Sequence, residues 1–556
     1  MQFSSRRMRA SAVLLAVALG ATACGGDDGG DGGTGGGEGG GDGSAIITVN
    51  GTEPQNKLLP ANTNETGGGR IMDVLYEGLV RYDENGDPVN AVAESIETED
   101  SQTYTITLKD DQTFSDGSPV TASSFVDAWN FGANISNAQL NSYFFEPIAG
   151  YEDVHPEPPA DAPEDAPPPT PAAETMSGLK VVDDTTFTVE LSAPQSDFPI
   201  RLGYTAFMPL PEAAFEDPDA FGEAPIGNGP YMMDGEWEHD VQIKTVVNPE
   251  YQGEETPQNG GITFKFYQDP QAAYQDLLAD NLDVIDLLPD SAFATFEDDL
   301  GERAINQPAG IFQSFSFPLY NPTFQGPNAN KVRQAISMAI NREQITETIF
   351  NGTRTPATDF SSPVVQGYSE DICGEVCTYD PEKAKALLEE AGGLPGNTMT
   401  IGYNADGGHK GWVDAVCNDI KNNLGIDCTG NSYPDFKSLR DPVTKKTMES
   451  AFRTGWQMDY PALSNFLGPI YGTGAGSNDA VYSNPEFDAL LAQGDSAPSP
   501  EEGIEFYQQA EELLVRDLPA VPLWYSNSTG GYATTVDNVK FDVFSVPIYT
   551  QITKSE

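Results

Sequence analysis

Histidine and basic side chains are scarce in this sequence of 556 residues. The three histidines, His155, His239 and His409, lie far apart in the chain. A histidine-based hydrolase or a multi-histidine metal site needs imidazoles that converge on one point, so this pattern argues against both classes. The 28 Lys and Arg residues stand against 85 Asp and Glu residues, and the formal net charge of -57 argues against nucleic-acid binding. Solubility outside the cell and steering of cationic ligands are the two explanations of this acidity.

Long apolar runs are also missing after residue 20. No apolar stretch in that part of the sequence approaches the roughly eighteen residues that a transmembrane helix needs. The N-terminus differs from the rest. Residues 1–9 include three arginines, residues 11–20 are apolar, and residues 21–23 are small. This order is typical of an export signal, and the paired arginines leave both Sec and twin-arginine export open. A buried N-terminal helix is the alternative.

Cys24 follows that segment and precedes residues 25–44, which are almost only Gly and Asp. The pattern resembles a bacterial lipoprotein signal, although Ala21 stands where such signals usually have Leu. The resemblance implies that a signal peptide of residues 1–23 is removed and that Cys24 becomes the lipidated first residue. Residues 24–44 would then form a flexible tether with an r.m.s. span of roughly 25 Å. An ordinary secretory signal with an accidental Cys is the alternative.

Cysteine is rare as well, since only four remain beyond Cys24: Cys373, Cys377, Cys417 and Cys428. An even count in an exported protein predicts two disulfides, for which three connectivities exist. We favour the two local pairs, Cys373 with Cys377 and Cys417 with Cys428. A four-cysteine zinc site is the competing interpretation.

The rest of the chain mixes strand-like and helix-like patterns, which predicts an α/β fold of more than one lobe. Apolar residues alternate in segments around residues 104–108, 187–191 and 262–266, and residues 520–525 are continuously apolar. Helices are predicted over residues 330–350, from Asp380-Pro381 to Gly392-Gly393, and from Ser499-Pro500 to about Arg516. The Pro-rich and acidic stretch at residues 154–175 predicts an exposed excursion.

Residues 452–461, FRTGWQMDYP, predict a strand with two different faces. One face carries apolar side chains, and the other carries Arg453, Gly455, Gln457 and Asp459. A Gly within a strand often allows another backbone to approach closely. Six residues of extended chain separate Arg453 from Asp459, an upper limit of roughly 20 Å.

Opposite charges at that separation suit a short peptide, which has an ammonium group at one end and a carboxylate at the other. The strand edge around Gly455 and Gln457 would supply hydrogen bonds to the peptide backbone. The alternative is a buried strand whose Arg453 and Asp459 belong to a structural ion-pair network. The pattern alone leaves these two interpretations open.

Several stretches in order resemble the solute-binding proteins of peptide ABC transporters, the oligopeptide- and dipeptide-binding family, from about Gly51 to the C-terminus. These stretches are residues 73–80, 113–121, 227–231, 332–336 with 340–342, 423–426 and 484–488. No single stretch is specific, but their order and spacing together are.

This resemblance implies roles for individual residues. The Gly-Trp-x-x-Asp-Tyr element that lines the ligand cleft matches Gly455 and Trp456 onward, and its Asp, which holds the α-ammonium of the peptide, matches Asp459. The Arg before Gly-Trp, which reaches ligand carboxylates in oligopeptide binders, matches Arg453. The His of a His-Lys pair at a helix start matches His409.

The resemblance also implies a type II, two-lobed periplasmic-binding-protein-like fold in its large three-part variant, with a hinged cleft. Its parts would be lobe I (residues 45–74 with 210–306 and 525–556), an additional domain (75–209) and lobe II (307–524). The implied protein is a monomer without cofactor or metal that makes and breaks no bond. It captures short peptides outside the cell and delivers them to the permease subunits of an ABC transporter. The alternatives are a non-peptide solute such as a sugar or a metal chelate, a surface glycosidase with two carboxylates, and a peptide-binding signalling receptor.

Overall fold

The computed structural model describes residues 43–157 and 169–555. The predicted signal peptide, Cys24 and nearly all of the predicted tether lie outside the described residues, as does the middle of the Pro-rich stretch.

Nineteen strands occur in the described residues, and most follow the alternating apolar patterns of the sequence. In chain order they are β1 Ile46–Gly51, β2 Val80–Tyr82, β3 Pro88–Asn90, β4 Ala93–Thr98, β5 Thr103–Leu108, β6 Leu179–Val181, β7 Thr186–Glu190, β8 Tyr231–Met233, β9 Gln242–Val247, β10 Gly261–Phe266, β11 Val284–Ile285, β12 Ala304–Ser316, β13 Arg354–Pro356, β14 Thr398–Asn404, β15 Asp427–Tyr433, β16 Ala451–Gln457, β17 Ala520–Tyr532, β18 Val536–Asp537 and β19 Thr553–Lys554. The segments predicted from alternation became β5, β7 and β10, and the apolar run became the first part of β17.

Sixteen α-helices lie between these strands in the same described ranges. In chain order they are α1 Thr66–Leu75, α2 Ala122–Ala133, α3 Tyr151–Val154, α4 Phe198–Arg201, α5 Pro218–Phe221, α6 Pro270–Leu278, α7 Phe296–Leu300, α8 Gly326–Met338, α9 Arg342–Phe350, α10 Gly374–Cys377, α11 Pro381–Ala391, α12 Lys410–Leu424, α13 Phe436–Thr444, α14 Leu463–Tyr471, α15 Pro485–Asp495 and α16 Pro500–Asp517. Within residues 43–157 and 169–555, none of the helices has the length and apolarity needed to cross a membrane.

Side-chain caps explain where two of the predicted helices begin. Asp380 accepts a hydrogen bond from the backbone N–H of Lys383 at 2.9 Å, and Ser499 accepts one from the backbone N–H of Glu502 at 3.3 Å. Gly392 ends α11 with a φ of 86°, a left-handed conformation that a residue with a side chain adopts only with strain. These boundaries agree with the sequence prediction.

The single helix predicted over residues 330–350 is wrong, because the structure has two helices there. Asn341 caps α9 by accepting a hydrogen bond from the backbone N–H of Gln344 at 3.1 Å, and its own N–H donates to Asp419 at 2.9 Å. Val332, Ile336 and Ile340, which are spaced four residues apart, are all buried, although Ile340 lies between the two helices. A capping Asn inside an apolar pattern is therefore sufficient to divide the helix.

An eleven-stranded sheet runs through most of the fold, in the order β15-β14-β16-β12-β17-β11-β1-β10-β9-β8, and β13 also pairs with β17. The long strands β12 and β17 are antiparallel along their whole length, from Ala304 opposite Gly531 to Ser316 opposite Ala520. The register shifts between Pro308 and Ile311, so the pair contains an irregularity near its middle.

Two large hydrophobic cores lie on either side of this irregularity. The first core is built from residues of 47–284, Ile305 and residues of 536–552, and the second from residues of 315–524. A separate four-stranded sheet, β4-β5-β7-β6, contributes to the first core. The chain passes from the first core to the second through β12 and returns through β17.

Candidate ligand-binding site

A cavity of about 620 Å³ lies where three distant parts of the chain meet. Its walls come mainly from residues of 63–84, 203–208 and 542–551, together with Gln457, Met458 and Asp459. This size is in the range of small-molecule and peptide sites. Two of the predicted site residues, Gln457 and Asp459, therefore line the cavity.

Asp459 lies just beyond the end of β16, so the prediction that residues 452–461 form one strand is too long. The backbone N–H of Met458 donates to the carbonyl of Gly310 at 2.9 Å, and that of Asp459 donates to Asn465 Oδ1 at 3.0 Å. Because the N–H of Asp459 bonds to a side chain, the strand pairing stops at this residue. The Asp459 side chain forms part of the cavity wall. The predicted alternation is visible over the strand itself, where Phe452 is buried and Gly455 is exposed.

Asn465 organises this part of the site, and the sequence reasoning missed it. The residue lies in the first turn of α14 and is 1% exposed. Its Oδ1 accepts hydrogen bonds from Trp456 Nε1 at 2.9 Å and from the backbone N–H of Asp459, and its Nδ2 donates to Asp459 Oδ2 at 3.0 Å. An Asn among the apolar residues of α14 is the signal that could have revealed it, since a buried amide needs partners.

The carboxylate of Asp459 is held in a poorly solvated environment. Burial raises its pKa, and the hydrogen bond from Asn465 and the positive charge of Arg201 act in the opposite direction. Tyr82 and Tyr204 lie near it: burial is the main cause of their raised pKa values, and the charge of Asp459 raises them further. A carboxylate in such surroundings interacts strongly with a cation, because little water screens the pair.

The cavity as a whole is acidic. Its acidic lining residues are Glu65, Asp73, Glu77, Asp83, Glu84, Glu255, Asp459 and Asp542. The basic lining residues, Arg70 and Arg81, are both ion-paired, Arg70 with Asp286 at 2.7 Å and Arg81 with Glu255 at 3.0 Å. A ligand entering this cavity therefore meets an excess of negative charge.

Arg453 and His409 belong to a second group of side chains, which does not line this cavity. Arg453 Nε donates to Asn404 Oδ1 at 2.8 Å, and its guanidinium lies 5.0 Å from the centre of the Phe436 ring. A side chain added at Gly407 would collide with the ring of His409 and the amide of Asn404, so these two groups flank Gly407. The structure thus brings Arg453 and His409 together at the carboxyl end of β14.

His409 stands immediately before α12, as the predicted position at a helix start requires. Its Nδ1 accepts a hydrogen bond from Trp412 Nε1 at 3.1 Å. The accepting nitrogen therefore carries no proton while this bond is formed, and the ring orientation is fixed by α12.

One edge of β16 is open between the group around Asp459 and the group that contains Arg453 and His409. β12 pairs with it from Phe452 to Gln457, but β14 pairs with it only at Ala451 and Phe452. Among the described residues no strand pairs with the other edge of residues 453–457. Gly455 is exposed, and its backbone is close to β12, where an added Cβ would lie 3.2 Å from the carbonyl oxygen of Phe312. Backbone hydrogen bonding to a ligand along this edge stays a prediction.

The four remaining cysteines form the two local pairs that the sequence analysis favoured. Cys373 is bonded to Cys377 with a Cα–Cα distance of 5.5 Å, and Cys417 to Cys428 with a distance of 4.8 Å. The four-cysteine zinc site is therefore wrong. The second disulfide joins α12 to β15.

Comparison with known proteins connects this architecture to one family. Residues 87–478 match the model described as bacterial extracellular solute-binding proteins, family 5. The chain is 26% identical over 502 residues to the oligopeptide-binding protein OppA of Bacillus subtilis, with 86% of this chain and 87% of that protein covered. It is 28% identical over 470 residues to the periplasmic murein peptide-binding protein MppA of Escherichia coli, with coverages of 82% and 83%.

The fold is also similar to a solved structure, Haemophilus influenzae OppA in complex with the peptide RPPGFSPFR. The TM-score is 0.71 at 24% sequence identity, and the match covers 93% of this chain and 100% of the other. The expected α/β, two-lobed solute-binding fold is therefore confirmed.

Proposed function

The chain belongs to family 5 of the bacterial extracellular solute-binding proteins, and from this we propose that it captures short peptides outside the cytoplasm and delivers them to an ABC-transporter permease. It is a binding protein in this proposal and makes or breaks no bond. The observation that carries the proposal is the placement of Asp459, a largely desolvated carboxylate on the wall of a peptide-sized cavity.

Asp459 binds the α-ammonium of the peptide in this proposal. Asn465 supports the role because it donates to one carboxylate oxygen and fixes the backbone, which leaves the other oxygen for the ligand. A charge-assisted hydrogen bond in a poorly hydrated site is worth about 1.5–3 kcal/mol. The aromatic side chains of Tyr82 and Tyr204 exclude water from that contact.

The peptide backbone lies along the open edge of β16, beside Gly455, Trp456 and Gln457. Arg453 and His409 lie farther along this edge of β16, and they bind the carboxylate end of the peptide. The exposed backbone of residues 453–457 supports this arrangement, because an extended peptide can add to a free strand edge with little dependence on its sequence. Arg453 is already oriented by Asn404, which lowers the entropic cost of using it.

The cleft closes over its ligand by a hinge in β12 and β17. Residues 45–74, 210–306 and 525–556 form lobe I, residues 75–209 the additional domain and residues 307–524 lobe II. Two separate hydrophobic cores and two connections between them support this division. The first core also includes residues of 75–209, so the additional domain shares a core with lobe I.

A lipid on Cys24 anchors the mature protein to the outer face of the cell membrane, and the Gly/Asp-rich tether lets a monomer reach its permease. The support is the order of residues 1–44 in the sequence. A flexible tether raises the concentration of the binding protein near the permease without fixing its orientation.

Mass spectrometry of the small molecules that a soluble form, starting near Ala45, releases on denaturation tests the proposal. Peptides of about two to six residues are expected from the size of the cavity. A sugar, a metal chelate or another solute without free termini would overturn it, and so would turnover of a glycan by the purified protein.

A further inference from the structure

Two carboxylates on the cavity wall, Asp73 and Asp542, have no role in the function proposed so far. Asp73 lies on α1 and is exposed to the cavity, and its carboxylate forms no hydrogen bond or ion pair with any described residue. Asp542 Oδ1 accepts hydrogen bonds from the backbone N–H groups of Phe544 and Val546, both at 2.9 Å. Its Oδ2 accepts none from the described part of the chain.

The charges around this pair are not balanced. Arg70, one turn before Asp73 on α1, is the cation that acts on both carboxylates, but it is ion-paired with Asp286 at 2.7 Å. Three carboxylates therefore share one guanidinium. Desolvation by the surrounding cavity walls, followed by the charge of Asp542, raises the pKa of Asp73 to about 7, and burial raises the pKa of Asp542 to about 6. Positive charge from a ligand would relieve this repulsion.

A buried hydroxyl group at the same place also lacks a partner. Tyr549 lines the cavity and is 3% exposed, and its hydroxyl has no hydrogen-bond partner within the described residues. The charges of Asp286, Asp73 and Asp542 all act on it, so the hydroxyl faces these carboxylates. Buried polar groups in proteins are nearly always hydrogen-bonded, so the unpaired hydroxyl indicates a missing ligand group.

We propose that Asp73, Asp542 and the Tyr549 hydroxyl form a subsite for a cationic side chain, lysine or arginine, of the bound peptide. The inference rests on the proposed function, in which Asp459 binds the α-ammonium. An ammonium group has three donors, and this subsite offers acceptors on three side chains. In the described ranges no group of three or more His, Cys, Asp or Glu residues is arranged to hold a metal ion.

A single peptide can reach both sites. Asp73 and Asp459 line the same cavity, and the charges of both act on Tyr82 and on Tyr204, so the two carboxylates lie near the same aromatic side chains. The subsite therefore belongs to the cavity that holds the α-ammonium and selects among peptides by side-chain charge.

Calorimetric titration of the soluble protein with trialanine and its single-substitution variants tests the inference. Lysine, arginine or Nε-acetyl-lysine replaces each alanine in turn, because acetylation removes the charge and keeps the side-chain length. At one position, the lysine or the arginine peptide is expected to bind at least about tenfold more tightly than the acetyl-lysine peptide. Equal binding of all three at every position, while trialanine binds, would overturn the subsite and leave the proposed function standing. Failure of every peptide to bind would overturn both.

Variants then assign the preference to these residues. In Asp73→Asn/Asp542→Asn the ratio between the charged and acetylated peptides should fall below about threefold, and Tyr549→Phe should give an intermediate ratio. Asp298→Asn, which removes an exposed carboxylate outside the cavity, is the matched control and should retain the full ratio. If the double variant keeps the full affinity ratio between the charged and acetylated peptides, the assignment is overturned. Loss of this ratio when EDTA is added to the unmodified protein would overturn it as well. The single Asn variants and thermal melting identify any effect of misfolding.

Discussion

Asn465 is bonded to Asp459 twice, since its Oδ1 accepts from the backbone N–H of Asp459 and its Nδ2 donates to the carboxylate, both at 3.0 Å. The same Oδ1 also accepts from Trp456 Nε1. One buried amide thus fixes the end of β16, the orientation of an aromatic ring and the direction of the candidate ligand-binding carboxylate. Such a site is organised before the ligand arrives, which reduces the entropic cost of binding.

Replacement of Asp459 by Ala should weaken peptide binding at least about tenfold, because a charge-assisted contact in a desolvated site is lost. Asp459→Asn should have a similar effect, since it removes the charge and retains an acceptor for Asn465. Calorimetry with trialanine measures the change, and a thermal melt checks that the fold is intact. Unchanged affinity in a folded variant would contradict the role of Asp459.

Replacement of Asn465 by Ala should lower both stability and affinity. The side-chain N–H of the half-buried Trp456 and the backbone N–H of Asp459 lose their acceptor, and an unpaired group that stays out of water costs about 1–3 kcal/mol. The pKa of Asp459 should rise further, because the hydrogen bond that lowers it is gone. Asp459 binds an ammonium only when ionised, so the acid limb of the binding profile should shift to higher pH. A variant that loses stability without that shift would give Asn465 a purely structural role.

The difference between Asp459 and Asn465 shows what the sequence could predict. Alternation along β16 is a local property, so the two faces of the strand could be derived from ten residues. The position of Asp459 in a ligand cleft was implied by the family resemblance and not by the strand pattern, and the strand is shorter than predicted because a side chain ends its pairing. Asn465 lies on the next helix, where an Asn among apolar residues signals a buried amide, but its partners Asp459 and Trp456 become apparent only when α14 is packed against β16.

The remaining wall of the site could not be derived in this way. Asp73 and Tyr204 lie hundreds of residues before Asp459 in the chain and Asp542 lies more than eighty residues after it, and only tertiary packing brings them to one cavity. The stretch that begins at Asp73 carries part of the family resemblance, but that resemblance implies no role for Asp73 itself. The net charge of -57 was the only feature of the sequence that indicated a preference of the protein for cationic ligands.

Glu511 should make the fold less stable as the pH rises. The residue is fully buried in α16, and burial, followed by the charge of Asp359, raises its pKa well above the ordinary value of 4.5. The folded state therefore holds a proton that the unfolded state releases. The stability that this proton provides is complete below pH 4.5 and declines as the pH rises to the raised pKa, by up to about 1.4 kcal/mol per pH unit.

The variant Glu511→Gln keeps a neutral side chain at every pH and should remove this decline. Urea unfolding from pH 5 to pH 9 measures it, and the variant should gain stability relative to the natural chain as the pH increases. Glu512→Gln changes the exposed neighbour in the same helix and should leave the slope unchanged. Parallel curves for Glu511→Gln and the natural chain would show that Glu511 is ionised in the folded state.

The two disulfides should contribute unequally to stability. Cys417 and Cys428 are 11 residues apart and Cys373 and Cys377 only 4, so the first bond restricts the unfolded chain more. Chain entropy gives about 3 kcal/mol for the longer loop and about 2 kcal/mol for the shorter. Denaturant unfolding of the two paired Cys→Ala variants measures both. An equal or reversed order would indicate that native contacts, and not loop length, decide the contribution.

Replacement of Cys24 by Ser should separate location from binding. The lipid is expected on this residue alone, and the binding cavity lies entirely within residues 63–551, so the variant should leave the membrane fraction without losing peptide affinity. Cell fractionation with calorimetry on the released protein measures both properties. Peptide uptake by cells should fall, because the tether no longer keeps the protein near its permease. Retention of the Cys24→Ser protein in the membrane fraction would mean that an uncleaved N-terminal segment, and not a lipid, provides the anchor.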